Sequence, residues 1–318
     1  MKKYLSLSVL SLLVALSACK GDKKKQDGAA DGTVASKTIA VEHSLGTTEV
    51  KQHPENVVVL DYGSLETLDV LGVPVAGIPK SSFLPSHLAK YRDDASIADV
   101  GTLVEVDFEQ INALAPELII TSARLQKDYP ELSRIAPTVF VELDPKEYMS
   151  SFEKNVHTLA GIFGKEKEAD EALDAIRKKV EAVRARTAGM EEKGLVVLSN
   201  NGRVSAYGSG SRFGMIHDVL GVPVASSDLQ TSPESHHGRK ISYEFIQEIN
   251  PGYIYVIDRG AVVTKKPLEK EAFENALVQK TDAYKNGKII YLNPEVWYLS
   301  GGGIISVNRM IDEISETL

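Results

Sequence analysis

The chain has 318 residues, room for two domains of ordinary size, and its 43% apolar and 25% charged residues are globular values. Its formal charge is −8; Lys2 and Lys3 are the only charged residues among the first 18, so the chain from Cys19 onward carries −10. Nucleic-acid binders usually show the opposite sign, and no internal stretch is long and apolar enough to span a bilayer.

Residues 1–18 read as an export signal: two lysines, an apolar run from Leu5 to Leu16, then Leu16-Ser17-Ala18-Cys19. The last four resemble the lipobox of bacterial lipoproteins, in which the cysteine becomes the first mature residue and carries lipid. Cys19 is the only cysteine, so a disulfide within one molecule is impossible. Lipoproteins of this kind usually carry more than one acyl chain, which stable anchoring needs. Residues 19–37 are then the lipidated Cys19 and a disordered tether rich in Lys, Asp, Gly and Ala. A flexible chain of that length spans roughly 20–25 Å.

Residues 38–164 read as an N-terminal lobe. Ile39 to Val50 alternates weakly, as a hairpin would. Val57 to Leu60 is a short buried-strand run, and Gly63 to Leu71 a helix ended by Gly72. Strands follow at Val75 to Ile78 and Leu118 to Thr121, with helices at Phe108 to Leu114 and Tyr148 to Phe163, the last closed by Gly164. Residues 165–188 form one long helix. Apolar positions recur at Ala169, Ala172, Leu173, Ile176, Val180 and Val183, and Gly and Pro are absent. Residues 189–318 read as a C-terminal lobe with strands at Leu195 to Leu198, Ile254 to Ile257 and Ile289 to Leu292, and a final helix from Ile304 to Thr317.

The chain repeats itself on either side of the long helix. Asp69 to Ala76 and Asp218 to Ala225 are the same octapeptide, D-V-L-G-V-P-V-A. Val106 to Arg124 aligns without a gap on Ile241 to Arg259, matching Glu109 with Glu244 and Arg124 with Arg259. Alternating strands and helices imply βαβ units and mainly parallel sheets. The predicted fold is α/β: two similar Rossmann-like lobes joined by one long backbone helix, with a ligand cleft between the lobes.

Enzyme signatures are missing. Gly208 to Gly214 fits neither dinucleotide nor phosphate-loop spacing, and no G-x-S-x-G, H-E-x-x-H or C-x-x-C occurs. Arg124 and Arg259 each follow a strand, where open α/β sheets bind ligands. Arg212 follows a Gly/Ser-rich loop that opens a helix. Each arginine has two readings, a surface residue paired with a carboxylate or a cation facing an anionic guest; symmetric placement moves Arg124 and Arg259 toward the second. His237 and Tyr298 are ordinary structural residues or hard donors for a highly charged cation such as iron. The other histidines are scattered. Glu109 and Glu244 sit in the first turns of their helices, where the macrodipole alone favours an acid by ~0.3–1 kcal/mol; as a symmetric pair they also suit a two-fold partner.

Together, the lipobox, tether, duplicated lobes and helical strut resemble the substrate-binding lipoproteins of ABC importers for iron–siderophores. The likeness extends from about residue 38 to 318. Its most specific pieces are S-R-F-G (Ser211 to Gly214), H-G-R-K-I-S-Y-E (His237 to Glu244), V-I-D-R (Val256 to Arg259) and P-E-V-W-Y-L-S-G-G-G (Pro294 to Gly303), which are similar to the catecholate branch with petrobactin- and enterobactin-type binders. The resemblance implies a ferric catecholate as transported ligand, no permanently bound cofactor, no enzymatic activity and a monomer. It implies that Arg124, Arg212 and Arg259 meet catecholate oxygens. It implies that His237 and Tyr298 complete the iron shell when the siderophore is tetradentate, with His236 competing for the imidazole role. Glu109 and Glu244 would engage arginines of the permease dimer, and lipidated Cys19 would hold the protein outside the cytoplasmic membrane. The same architecture could instead carry haem, cobalamin or a ferric hydroxamate; bare metal capture and an enzyme are further alternatives.

Overall fold

The computed structural model describes residues 37–80, 83–229 and 238–318. The export signal, Cys19, the tether to residue 36, and His236 and His237 lie outside the described residues. No helix among the described residues is long and apolar enough to cross a membrane.

Strands β1 (Thr38–His43) and β2 (Gly46–Lys51) pair antiparallel as the alternation predicts, Thr38 opposite Lys51. The first lobe is built on β3 (Val57–Val59), β4 (Gly77–Ile78), β5 (Ala98–Asp99), β6 (Leu118–Ser122) and β7 (Thr138–Val141), in spatial order β5-β4-β3-β6-β7 with every neighbour parallel. Helices α1 (Tyr62–Val70), α2 (Ala89–Asp93), α3 (Phe108–Ala113) and α4 (Tyr129–Ile135) make the crossovers. Val57, Val58 and Val59 are fully buried, as are Leu118, Ile119 and Ile120. A parallel sheet covered on both faces requires such unbroken apolar runs. Asp61 caps α1 by accepting the Ser64 amide at 2.7 Å.

Helix α5 (Tyr148–Phe163) ends at Gly164, whose φ of +63° is the left-handed turn that stops a helix. The long helix α6 (Glu166–Thr187) follows at once and matches its sequence pattern closely. Its first turn carries Glu166 and Glu168 and its last Arg184 and Arg186, charges that complement the helix dipole. Ala169, Leu173, Ile176 and Val183 bury against a core that runs without a break from Val57 and Tyr62 in the first lobe to Tyr207, Phe213 and Tyr255 in the second. Each sheet also has an outer cluster of its own.

The second lobe holds β8 (Gly194–Asn200), β9 (Arg203–Tyr207), α7 (Met215–Asp218), β10 (Arg239–Ile241), α8 (Tyr243–Ile249), β11 (Tyr253–Asp258), α9 (Arg259–Val263), α10 (Lys270–Phe273), α11 (Asp282–Lys285) and β12 (Ile289–Leu292). In its order, β10-β9-β8-β11-β12, the strands β8, β11 and β12 stand as β3, β6 and β7 do in the first lobe, whereas β9 precedes the repeated octapeptide that β4 follows. The repeat also holds at the level of single hydrogen bonds. Ala76 donates to Val57 O at 2.8 Å, and its octapeptide counterpart Ala225 donates to Gly194 O at 2.9 Å. Val57 lies opposite Leu118, and Gly194 opposite Tyr253, the counterpart of Leu118.

Two features depart from expectation. The expected mainly parallel sheet holds in full only for the first lobe: β8 turns back through Asn201–Gly202 into β9, so the pairs β8–β9 and β9–β10 are antiparallel. Asn201 and Gly202, both at positive φ, form the tight turn that an Asn-Gly pair favours, and β9 and β10 are not among the strands expected from the sequence. The final helix α12 (Ile304–Ser315) falls in the second lobe by chain position yet packs against α1 and α6. Its buried stripe, Ile304, Val307, Met310, Ile311 and Ile314, fills the groove between them.

Candidate ligand-binding site

Arg124 lies just beyond β6 in a turn spanning Ala123–Asp128, and Arg259 just beyond β11 as the first residue of α9. Arg212 lies in the loop between β9 and α7. All three reach one residue. Tyr298 sits in a wide π-helical turn, Glu295–Ser300, that follows β12 and closes with Gly301 at φ +54°. Such turns often mark functional positions. The Tyr298 carbonyl accepts Arg124 Nη2 and Arg212 Nη2, each at 2.7 Å, and Arg124 Nη1 also reaches Leu299 O at 3.2 Å. The Tyr298 hydroxyl accepts Arg259 Nε at 2.7 Å. Arg212 stacks over the Tyr298 ring with its guanidinium carbon 4.4 Å from the centroid. The four side chains are half-buried.

No salt bridge among the described residues involves any of the three arginines, which removes the carboxylate-pairing reading for what the structure describes. Two nitrogens that each stand 2.7 Å from one oxygen are at most about 5.4 Å apart. At an effective dielectric constant of about 20 their charges repel by about 3 kcal/mol. Burial, and then the Arg124 charge, pull the Arg212 guanidinium below its ordinary value, against smaller opposing effects from Tyr298 and Tyr207. Burial pushes the Tyr298 phenol up, but the Arg259 hydrogen bond and the charges of Arg212 and Arg259 outweigh it, and the net shift is downward. The arrangement is a concentrated positive field around a phenol whose proton is loosened.

Asn200 belongs to this site and was missed in the sequence: its Oδ1 accepts Arg259 Nη1 at 3.1 Å from the end of β8. A single Asn after an apolar strand carries no signal that separates it from a turn residue. Trp297, the only tryptophan, is buried beside Tyr298 and donates from Nε1 to Glu313 at 2.7 Å.

Glu109 and Glu244 are exposed in the first turns of α3 and α8, behind the caps Asp107 and Ser242. The exposed Glu244 carboxyl is held below the usual carboxylate range by the helix-end amide and the Ser242 hydroxyl. Strand register fixes where these acids lie. Asp107 donates to Val100 O, just past the carboxyl end of β5. Ile241, which precedes α8, pairs with Val204; Val204 pairs with Ser199, and Ser199 with Asp258. Both acids are therefore at the same sheet end as the arginine of their lobe.

Comparison with known proteins identifies the family. The model of the periplasmic binding protein family matches residues 57–296. The chain belongs to this family. The petrobactin-binding protein YclQ of Bacillus subtilis (strain 168) is 41% identical over 100% of this chain and 99% of its own length. The ferric-anguibactin-binding protein FatB of Vibrio anguillarum (strain ATCC 68554 / 775) is 39% identical over 87% of this chain and 86% of its own. Among solved structures, the siderophore-binding protein BauB, bound to a complex of two acinetobactin molecules and ferric iron, superimposes with a TM-score of 0.82 at 36% identity, covering 88% of this chain and 98% of that one. By their names these relatives bind petrobactin, ferric anguibactin and an acinetobactin–iron complex, and the two-lobed α/β fold is that of the family.

Proposed function

We propose that this protein binds a ferric siderophore of anionic catecholate type outside the cytoplasmic membrane and delivers it to an ABC permease for iron uptake. The observation that carries the reading is the set of three guanidiniums, none in an ion pair among the described residues, gathered around Tyr298. Tris-catecholate Fe(III) has three negative charges, matched in number by three planar forks that suit oxygen pairs. The charge repulsion already present in the ligand-free site is relieved when such an anion enters. The chain as a whole is acidic, so attraction is local and screened by salt within about 8–10 Å.

With a tetradentate siderophore, two iron positions remain open. Tyr298 fits one of them, because a phenol stabilised as its anion by Arg259 and Arg212 is a hard oxygen donor. His237 supplies the other in this reading. Glu109 and Glu244, one per lobe at matching positions, dock the permease dimer, and Cys19 carries the lipid anchor of a monomeric protein. No resident cofactor and no chemistry on the ligand are part of this function.

The test is a fluorescence titration of the mature, tether-free protein, because Trp297 neighbours the iron position. Saturable quenching by ferric bis- and tris-catecholates, and by none of ferrichrome, haem, cobalamin or Mn(II), is the expected result. Quenching by ferrichrome, haem or cobalamin alone would keep the carrier and overturn the catecholate assignment.

A further inference from the structure

The Tyr298 turn is held mainly from the opposite lobe. Gly301, Gly302 and Gly303 follow it, and a side chain at Gly303 would collide with Gly63 O and the Glu66 carboxylate. The glycines let the chain press against α1, but they leave the turn little stiffness of its own. In the ligand-free structure Arg124 and Arg212 hold the Tyr298 carbonyl. Those are the arginines an anionic ligand draws toward itself, so the turn needs an anchor that the ligand does not take.

Two consecutive first-lobe residues supply one. Ser86 donates from both its amide and its hydroxyl to Glu295 Oε2, each at 2.7 Å, and Glu295 is the first residue of the turn. His87 meets Glu66 through Nε2 at 2.6 Å, with side chains 3% and 0% exposed. The other oxygen of Glu66 accepts the Ser306 amide at 2.7 Å, in the first turn of α12. Ser86 thus grips the start of the segment 295–306, and His87 grips its end through Glu66. Between them the Tyr148 hydroxyl donates to Gly301 O at 2.5 Å.

We propose that Ser86 and Glu295, backed by the buried His87–Glu66 pair, are positioning residues that keep the Tyr298 phenol aimed at the iron after the ligand has engaged the arginines. The inference deepens the siderophore-binding reading and rests on it. It predicts a division between ligands. A hexadentate tris-catecholate needs no protein oxygen on iron and feels only the arginines. A tetradentate bis-catecholate needs Tyr298 in place.

The experiment compares Ser86→Ala and Glu295→Gln with the unaltered protein, each first shown to be folded by thermal melting. Affinity for a ferric bis-catecholate should fall about tenfold, the equivalent of about 1.4 kcal/mol, and that for a ferric tris-catecholate should stay within about twofold. Tyrosinate–iron resonance Raman bands of the bis-catecholate complex should weaken or shift. Equal losses for both ligands, or no loss for either, would overturn the positioning role. Failure of the unaltered protein to bind any ferric catecholate would remove the carrier reading itself, whereas equal or absent losses in variants of a protein that does bind would remove only the clamp.

Discussion

Replacing Arg212 with glutamine separates binding from stability, because the two should respond in opposite proportion. In the folded, ligand-free protein Arg212 gains a hydrogen bond to Tyr298 O at 2.7 Å and a stack on its ring. Those gains are worth about 1.5–3 kcal/mol for a charge-assisted bond plus about 1 kcal/mol for the stack. Against them stand about 3 kcal/mol of repulsion from Arg124 and the cost of burying a charge, which already depresses its pKa. The sum is close to zero, so Arg212→Gln should move the melting temperature by no more than about 4 °C in a domain of this size. Binding has no such cancellation. Removing one partner of a desolvated charge pair costs about 2–5 kcal/mol, a loss of roughly 30- to 5,000-fold in affinity for a ferric tris-catecholate. The assay is Trp297 quenching at two salt concentrations, with melting followed on the same samples. A variant that loses several kcal/mol of stability, or that binds the catecholate within threefold of the unaltered protein, would refute the view of Arg212 as a cation held ready for an anion.

Tyr298→Phe should abolish the tyrosinate–iron band of a bis-catecholate complex, which visible spectroscopy reads directly. The same substitution has a pH signature. The folded-state phenol is shifted below its ordinary value of about 10, so the unfolded chain binds more protons between the two values and stability rises with pH across that window. Urea unfolding at a series of pH values should show that rise in the unaltered protein and lose it in the variant. Glu66→Leu removes one half of a buried pair and leaves the Ser306 amide without an acceptor; unfolding should show a loss of about 3–5 kcal/mol. Lysine at both Glu109 and Glu244 should leave siderophore titrations unchanged while abolishing stimulation of permease ATP hydrolysis in proteoliposomes. The unbroken core along α6 favours small lobe motions, and small-angle scattering should show no large compaction when ligand is added.

The legible parts of this fold were those where periodicity and stop signals agree. Helix α5 has the bounds its sequence suggests, with Gly164 at positive φ closing it, and α6 falls within one residue of its expected bounds at each end because Ala, Glu, Lys and Arg without Gly or Pro leave no other element open. The duplication places Arg124 and Arg259 at equivalent positions, each just beyond a strand. What stayed hidden depends on contacts distant in sequence. Strand β5 is two residues long and carries no period, whereas the equally short β4 lies inside the strand expected at Val75 to Ile78. His87 is a lone histidine between Ser86 and Leu88 in sequence, yet folding buries its side chain against Glu66, 21 residues away. The π turn at Tyr298 is one residue wider per turn than an α-helix, a difference that composition does not encode.

The repeat and its exceptions together explain why the site has an odd number of arginines. Two lobes related by duplication can contribute only pairs from equivalent positions, and Arg124 with Arg259 is such a pair. Aligning the octapeptides puts Arg212 opposite Gly63. Both residues meet the same stretch of chain: Arg212 bonds Tyr298 O, and a side chain on Gly63 would press against the backbone of Gly302 and Gly303. The segment from Tyr298 to Gly303 is therefore met from equivalent positions of both lobes. A single segment cannot satisfy both halves in the same way. One lobe meets it with a glycine, which admits close backbone packing; the other meets it with an arginine, which adds the third charge. Symmetry supplies the frame and the matched acids Glu109 and Glu244, and the break in symmetry supplies both the third arginine and the tyrosine around which the three gather.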